Sequence, residues 1–390
     1  MGFDRKNNLS GDTQSARAAI RICAFLLLLL LCSPAAHANF SSAWSSSAAN
    51  NSWATVFGDF DGDGDLDHIS VNDGQANVLY RNDGGGSYPA SWSSNSETST
   101  AIAAADLDGD GDIDHFITNY GTTGNQVYLN DGSGSFQVSW LSAETDNTWG
   151  AALGDYDNDG DLDMLIGNYS EANRVYRNDG EDTFTPVWAS ARTDGTYDVA
   201  WGDYDNDGDL DMLIGNMGAR NRIYRNDGGS FTSVWTTPSS NNTACVAWGD
   251  YDGDGDIDYI AGNDAAANML YQNDGGASFS TAWSSSAPHD STYDIAWGDY
   301  DGDGDPDILA INSFASSDIV YSNDGGASFS TAWSSTETDD SYAGAWGDCD
   351  DDGDIDYVVV NYGDANRVYT NNVDPSNSPP AAPALVAVPD

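Results

Sequence analysis

An all-β fold, a seven-bladed β-propeller of four-stranded blades, is what this sequence predicts, and three observations predict it. One acidic motif recurs seven times in 390 residues, beginning at Asp59, Asp106, Asp155, Asp203, Asp250, Asp299 and Asp348, at intervals of 47 to 49 residues. A fixed period in that range marks units that each bury an apolar face against the next. Every period holds four short apolar or alternating runs and none with helical spacing. The two ends of the array also complement each other, as a ring requires and a linear stack does not.

The first 38 residues are set aside from the fold. Arg17 and Arg21 precede an apolar run from Ile22 to Cys32, and Ala36-His37-Ala38 offers a small-residue cleavage site, the pattern of a secretory signal peptide. The run is too short to span a bilayer, so the mature chain is expected to carry no membrane span and to be secreted or held at the cell surface. Residues 39–372 form the propeller, and residues 373–390 a Pro-rich linker or tail whose Ser-Pro-Pro-Ala-Ala-Pro run reads as extended. The tail resembles the lead-in to a fibronectin-type module, which would make the chain the front of a longer protein.

Within a repeat the strands follow one order, seen clearly in the fourth copy. Val199-Ala200-Trp201-Gly202 enters the acidic loop and Met212-Leu213-Ile214-Gly215-Asn216 leaves it. Asn221-Arg222-Ile223-Tyr224-Arg225 makes a third run, Asn226-Asp227-Gly228 is a hairpin signal, and Phe231 with Trp235 marks a fourth. That aromatic pair follows six of the acidic loops, from Tyr88 with Trp92 to Phe329 with Trp333. The seventh pair, Phe40 with Trp44, comes before the first loop, while the last repeat ends at residue 372 without its Asn-Asp-Gly turn. Residues 39–46 are therefore expected to be the outer strand of the last blade, closing the ring and hiding its edges.

The acidic loops carry the chemistry. In GDYDNDGDLDMLIGN, residues 154–168, Asp155, Asp157, Asp159, Asp161 and Asp163 alternate around Gly160. Five carboxylates so close repel strongly unless a cation sits among them, and hard oxygen donors at loop positions 1, 3, 5, 7 and 9 suit Ca2+. An EF-hand begins alike but needs a bidentate Glu at position 12, where this loop has Ile166 inside a strand. The candidate ligands in the other copies are Asp59, Asp61, Asp63, Asp65 and Asp67; Asp106, Asp108, Asp110, Asp112 and Asp114; and Asp203, Asp205, Asp207, Asp209 and Asp211. They continue with Asp250, Asp252, Asp254, Asp256 and Asp258; Asp299, Asp301, Asp303, Asp305 and Asp307; and Asp348, Asp350, Asp352, Asp354 and Asp356. Position 7 is expected to ligate through its carbonyl, with its side chain toward water. Up to seven structural calcium sites follow.

Composition narrows the partners. Beyond residue 38 there are eight Arg, no Lys and 61 acidic residues, a formal net charge of −53. Such a chain does not bind a phosphate backbone, so nucleic acid is excluded in favour of neutral or cationic partners. Cys245 and Cys349, two repeats apart, read as separate buried thiols.

The repeated Asp-x-Asp-x-Asp-Gly-x-x-Asp followed by an apolar strand resembles the FG-GAP or VCBS repeats of integrin alpha-chain propellers and of many secreted microbial proteins. The resemblance covers about residues 40–372. It implies the propeller, the calcium, and a binding or adhesion role toward an extracellular protein or a glycan; a lectin-like propeller, or an accessory domain of a polysaccharide-active enzyme, is the alternative. Integrin propellers carry the acidic loop in only some blades, so all seven copies here are a departure.

Partner contacts are expected on the face opposite the acidic loops. Candidates are Asn119-Tyr120-Gly121, Asn168-Tyr169-Ser170, Asn216-Met217-Gly218, Asn312-Ser313-Phe314 and Asn361-Tyr362-Gly363, together with Trp149, Tyr197, Tyr293 and Tyr342 in the linking loops. The linking aromatics either meet a partner or simply begin the inner strands and pack there. No catalytic constellation is visible, so an enzyme is not expected: of the histidines His68, His115 and His289, the first two sit at strand positions, and no paired Glu, Ser-His arrangement or Cys-His cluster stands out.

Overall fold

The computed structural model describes residues 38–180, 183–286 and 291–372. The expected signal peptide through residue 37, the tail from residue 373 and His289 lie outside the described residues. Among the described residues there is no helix, hence none long and apolar enough to cross a membrane.

The strands are β1 (Phe40–Gly58), β2 (Asp67–Tyr80), β3 (Ala90–Ala105), β4 (Asp114–Asn119), β5 (Gln126–Asn130) and β6 (Phe136–Leu141). Then come β7 (Thr148–Gly154), β8 (Asp163–Asn168), β9 (Arg174–Asn178), β10 (Phe184–Ala189), β11 (Thr196–Gly202) and β12 (Asp211–Ala219). The chain continues through β13 (Arg222–Asn226), β14 (Phe231–Thr236), β15 (Asn241–Gly249), β16 (Asp258–Asn263), β17 (Met269–Asn273) and β18 (Phe279–Ser284). It ends with β19 (Thr292–Gly298), β20 (Asp307–Asn312), β21 (Ile319–Asn323), β22 (Phe329–Ser334), β23 (Ser341–Gly347) and β24 (Asp356–Asn371).

Pairing is antiparallel throughout, in four-stranded units such as β10-β9-β8-β7 and β19-β20-β21-β22. Where linking loops are short the strands run on between units. The second half of β3, for example, opens the unit completed by β4, β5 and β6. Each of β2 and β24 spans two strands of a unit and reverses near a glycine at positive φ, Gly74 (66°) and Gly363 (77°), where other residues would be strained. The reversal brings His68 over Tyr80, ring centroids 5.0 Å apart, and Tyr357 over Tyr369 at 4.8 Å. Phe40–Ser45 of β1 pair with Asn371–Arg367 of β24.

The first strands of the units stand side by side, β3 against β7, β7 against β11 and onward to β23, which in turn neighbours β1. Second strands such as β8 and β20 are buried along their whole length, because each is covered by units on both sides. The apolar clusters lie between units: Phe116 and Val127 of one pack with Met164, Ile166 and Tyr176 of the next. The aromatic pair read as a fourth-strand mark is part of this packing. Trp140 sits 5.4 Å from both Tyr176 and Phe184 of the following unit, and Trp188 repeats the arrangement on Tyr224 and Phe231. Cys245 and Cys349 are separate buried thiols.

Candidate metal centres and the channel mouth

Each acidic loop joins the first and second strands of a unit, and its aspartates divide into distinct roles. In the third copy the Asp155 Oδ2 accepts the Gly160 N–H at 2.9 Å, and Asp159 Oδ1 accepts the Asp161 N–H at 3.0 Å. The same two bonds recur in the first, second, fourth, fifth, sixth and seventh loops, from Gly64 to Asp59 through Gly353 to Asp348. Position 4 takes positive φ whether it is Gly62 (73°), Asn158 (58°) or Asp351 (57°), which explains why only Gly, Asn and Asp occupy it.

Position 9 is the anchor. Asp163 is fully buried at the start of β8; its Oδ2 accepts the Tyr156 N–H at 3.1 Å and its Oδ1 accepts the Asn178 N–H at 2.8 Å. Asp67, Asp114, Asp211, Asp258, Asp307 and Asp356 are buried in the same way with the same two donors. Carboxylate oxygens of positions 1, 3 and 9 lie within 4.8 Å of one another in Asp59/Asp61/Asp67, Asp106/Asp108/Asp114, Asp155/Asp157/Asp163 and Asp203/Asp205/Asp211. In the fifth loop the trio is Asp250, Asp252 and Asp254. In these four loops, then, three of the five aspartates offered by the sequence converge through their side chains. Position 5 supports the loop backbone, and the position 7 residue Asp161 is exposed.

Burial, reinforced by neighbouring carboxylates and opposed by the backbone donors, pushes Asp163 and Asp258 up to about 8, Asp67, Asp114 and Asp211 to about 7, and Asp356 to about 6. Asp307 is raised well above the usual range for the same reason. Asp59 Oδ1 and Asp205 Oδ1 are buried without a hydrogen-bond partner. Among the described position 1, 3 and 9 side chains, one forms an ion pair, Asp61 with Arg81 at 3.1 Å. An all-oxygen donor set, crowded anions and unpartnered buried oxygens fit a hard divalent cation. Without one, folding raises these carboxyl groups above their unfolded values. The resulting penalty is absent below about pH 4, grows as pH rises and is complete above about pH 8. Chelated protein is therefore expected to melt higher at pH 5 than at pH 8, as thermal unfolding in EGTA checks.

The Asn of the turn has a second task. Asn226 Nδ2 donates 2.8 Å to the carbonyl of Tyr156, in the acidic loop of the preceding unit, while its N–H holds Asp211 of its own. Asn130 bonds Phe60, Asn178 Leu107, Asn273 Tyr204, Asn323 Tyr251, Asn371 Tyr300, and Asn82 Cys349 in the same way. Each acidic loop is thus fastened to its neighbour. Asn226→Ala leaves a buried carbonyl bare and should cost about 2 kcal/mol in a denaturant titration.

At the opposite end of the units, Trp149, Tyr197, Tyr293 and Tyr342 are not in linking loops. They are the second residues of β7, β11, β19 and β23 and line a cavity of about 70 Å³ between the first strands. Trp53 of β1 joins them, 4.2 Å from Tyr342 and 5.1 Å from Trp149, and Trp149 stacks on Tyr197 at 4.9 Å. The rings begin the inner strands and pack on one another, as the second expectation has it, and they also wall an opening. Asp198 and Asp294 lie in the same wall. Around it stand Tyr120 (42% exposed), Tyr169 (38%) and Phe314 (60%). The asparagines expected beside them, Asn119, Asn168, Asn216, Asn312 and Asn361, are corrected by the structure, as is Ser313: all are fully buried, and the asparagines take part in internal hydrogen bonds, so what these segments expose is Tyr120, Tyr169, Phe314 and small residues such as Ser170, Gly218 and Gly363. His68 and His115 are buried in β2 and β4, lowered to about 3 by burial, with ring nitrogens that have no hydrogen-bond partner.

The FG-GAP-like repeat is matched over residues 59–117, 106–166, 155–214, 203–261 and 250–310, each match running from one acidic loop through the next. The chain belongs to the FG-GAP-like repeat family. Its repeats build a β-propeller-like fold shared with a crystal structure of BBS1N in complex with ARL6DN, soaked with lead. That likeness has a TM-score of 0.62 at 11% identity and covers 85% of this chain and 96% of that one. The same complex soaked with mercury gives 0.62 at 10% identity, covering 86% and 97%. At that identity the likeness is one of fold alone. No curated protein matches the FG-GAP-like chain.

Proposed function

We propose that this FG-GAP-like protein is a secreted or cell-surface, calcium-stabilised propeller of seven blades that binds an extracellular protein through the aromatic mouth of its central channel. The observation that carries the reading is the separation of chemistry between two ends: acidic loops at one, and at the other a wall of Trp53, Trp149, Tyr197, Tyr293 and Tyr342 flanked by exposed aromatics. Exposed aromatic groups around a concavity are typical anchors of protein interfaces. BBS1N, of like fold, is held in a complex. Seven blades closed by the N-terminal strand are supported by the pairing of β1 with β24, by the contact of β23 with β1, and by the Asn82 bond to Cys349. Calcium is supported by the convergent carboxylates and the unpartnered Asp59 and Asp205 oxygens. When bound it would be held by positions 1, 3 and 9 with help from positions 5 and 7, and would neutralise the loop. Secretion rests on the pattern of the first 38 residues.

The test is photo-crosslinking from position 120 or 314 against position 157 in calcium-replete extracellular fractions. Protein adducts are expected from the first two and not from the third, with loss on Tyr197→Ala. Adducts confined to position 157 would contradict the reading. The same aromatic faces suit a sugar ring, and selective binding on a glycan array would favour the lectin-like alternative.

A further inference from the structure

Six of the junctions between successive repeats share one pattern at the channel-mouth end. An Asn at the start of the third strand accepts the backbone N–H of the Asn that ends the second strand. Its amide then donates to a hydroxyl of the next unit. Asn173 Oδ1 accepts the Asn168 N–H at 2.9 Å, and Asn173 Nδ2 donates to Thr196 Oγ1 at 3.0 Å. That hydroxyl donates onward to Asn216 Oδ1 at 2.8 Å, so every polar atom in the relay is used. Asn77, Asn125, Asn221, Asn268 and Asn366 do the same, Asn366 reaching Ser52.

The remaining junction, between the sixth and seventh repeats, carries Asp318 instead. Asp318 Oδ1 accepts the Asn312 N–H at 2.9 Å, but as a carboxylate its Oδ2 can only accept. The Ser341 hydroxyl turns to it at 3.4 Å, and Asn361 Oδ1, which that hydroxyl would otherwise serve, is buried without a partner. We infer that this junction is a pH-sensitive seam: protonated Asp318 donates to Ser341 Oγ, which then donates to Asn361 Oδ1 and completes the relay, whereas the carboxylate leaves it broken.

The surroundings agree. Burial pushes Asp318 up to about 7, with Asp339 and Glu337 adding to the rise and the Asn312 and Ser341 donors opposing it. Arg367 of β24 is engaged by Asp339 at 2.7 Å, and the Tyr369 hydroxyl donates to Glu337 at 2.9 Å. Tyr357, also of β24, stays neutral in its buried site. Asp340, on the same link, accepts the Phe314 N–H at 2.6 Å and the Ser313 hydroxyl, to which Tyr342 is also bonded. The segment between Asn312 and Asp318 holds two successive non-glycine residues at positive φ, Phe314 (56°) and Ala315 (61°). Such backbone persists only where its surroundings hold it. Phe314 contacts Tyr293, 6.0 Å between centroids, so loosening of the seam is felt at the channel mouth.

The test compares the wild type with D318N in calcium-replete buffer from pH 5 to 8. The folded-state rise means that ionisation penalises the fold progressively above about pH 4 and fully above about pH 7. The amide, like its six counterparts, avoids that penalty. D318N is expected to melt about 2–4 °C higher than the wild type at pH 8, with the gap closing toward pH 5. Hydrogen exchange at the Phe314 amide should be slower in D318N at pH 8. Equal melting at pH 8, or a gap that does not change with pH, would overturn the inference. So would a D318N chain that fails to fold, since an amide is held here to fit this seam as it fits the others. None of these outcomes depends on which partner the mouth receives.

Discussion

EGTA should lower the melting temperature by about 15–25 °C at pH 7. Extracellular calcium modules bind at about 10⁻⁴–10⁻³ M, so millimolar calcium adds about 1 kcal/mol for each occupied site. Seven loops bring about 7 kcal/mol, comparable to the whole stability of an ordinary domain of about 5–15 kcal/mol. Each kcal/mol moves the melting point by about 2–4 °C in a chain of this size or somewhat smaller. The loss is also structural, because every acidic loop supplies the carbonyl to which the next unit's Asn is fastened, as Tyr156 does for Asn226. A melting curve indifferent to EGTA would remove the proposed clip role of the loops.

Asp163→Ala should be the most damaging single change in a loop, costing about 3–5 kcal/mol in calcium. It removes one of the three converging carboxylates and leaves the buried N–H groups of Tyr156 and Asn178 without an acceptor, a penalty of about 1–3 kcal/mol apiece. Asp161→Ala, two residues earlier, should fall within about 0.5 kcal/mol of the wild type, since its exposed side chain is not needed if it ligates through the carbonyl. Chemical denaturation of the two variants side by side reads the contrast. Comparable losses would mean that the loop binds through a different donor set, and two neutral substitutions would mean that it binds nothing.

Local pattern carried the legible part of this fold. The seven acidic copies, the apolar run after each and the Asn-Asp-Gly turn place the strands of the repeats, because those signals act over a few residues. Contacts between units were hidden, as their partners lie about 70 residues apart and leave no periodic trace; Asn226 with Tyr156 is one case. A clue was nevertheless present. Asn371 persists in the last repeat after the Asp and Gly of the turn are gone, which says that this Asn is there for more than the turn. The asparagines ending the second strands were read as a partner surface because Asn is ordinarily exposed. Their burial follows from a hydroxyl on the paired first strand of the same unit, Thr148 for Asn168, 20 residues away and outside the local pattern around each Asn. Trp53 escaped notice because the equivalent positions in the second and fifth repeats, Thr100 and Ala244, break the aromatic series.

Among the carboxylates, spacing pointed to all five in each loop alike. Folding separates them: positions 1, 3 and 9 converge in four loops, and position 9 alone enters the interior in every copy. That asymmetry comes from the chain's turn into the second strand, which drags one Asp beneath every loop, while only Asp250 and Asp301 among its described loop neighbours are also buried.

The most direct test of the calcium clip is the metal content of the intact chain. With free calcium held at up to about 10 mM, well above dissociation constants of about 10⁻⁴–10⁻³ M, equilibrium dialysis or calorimetric titration should saturate at about seven calcium ions per chain, one for each acidic loop. A chain that binds no calcium over that range while remaining folded would contradict the account.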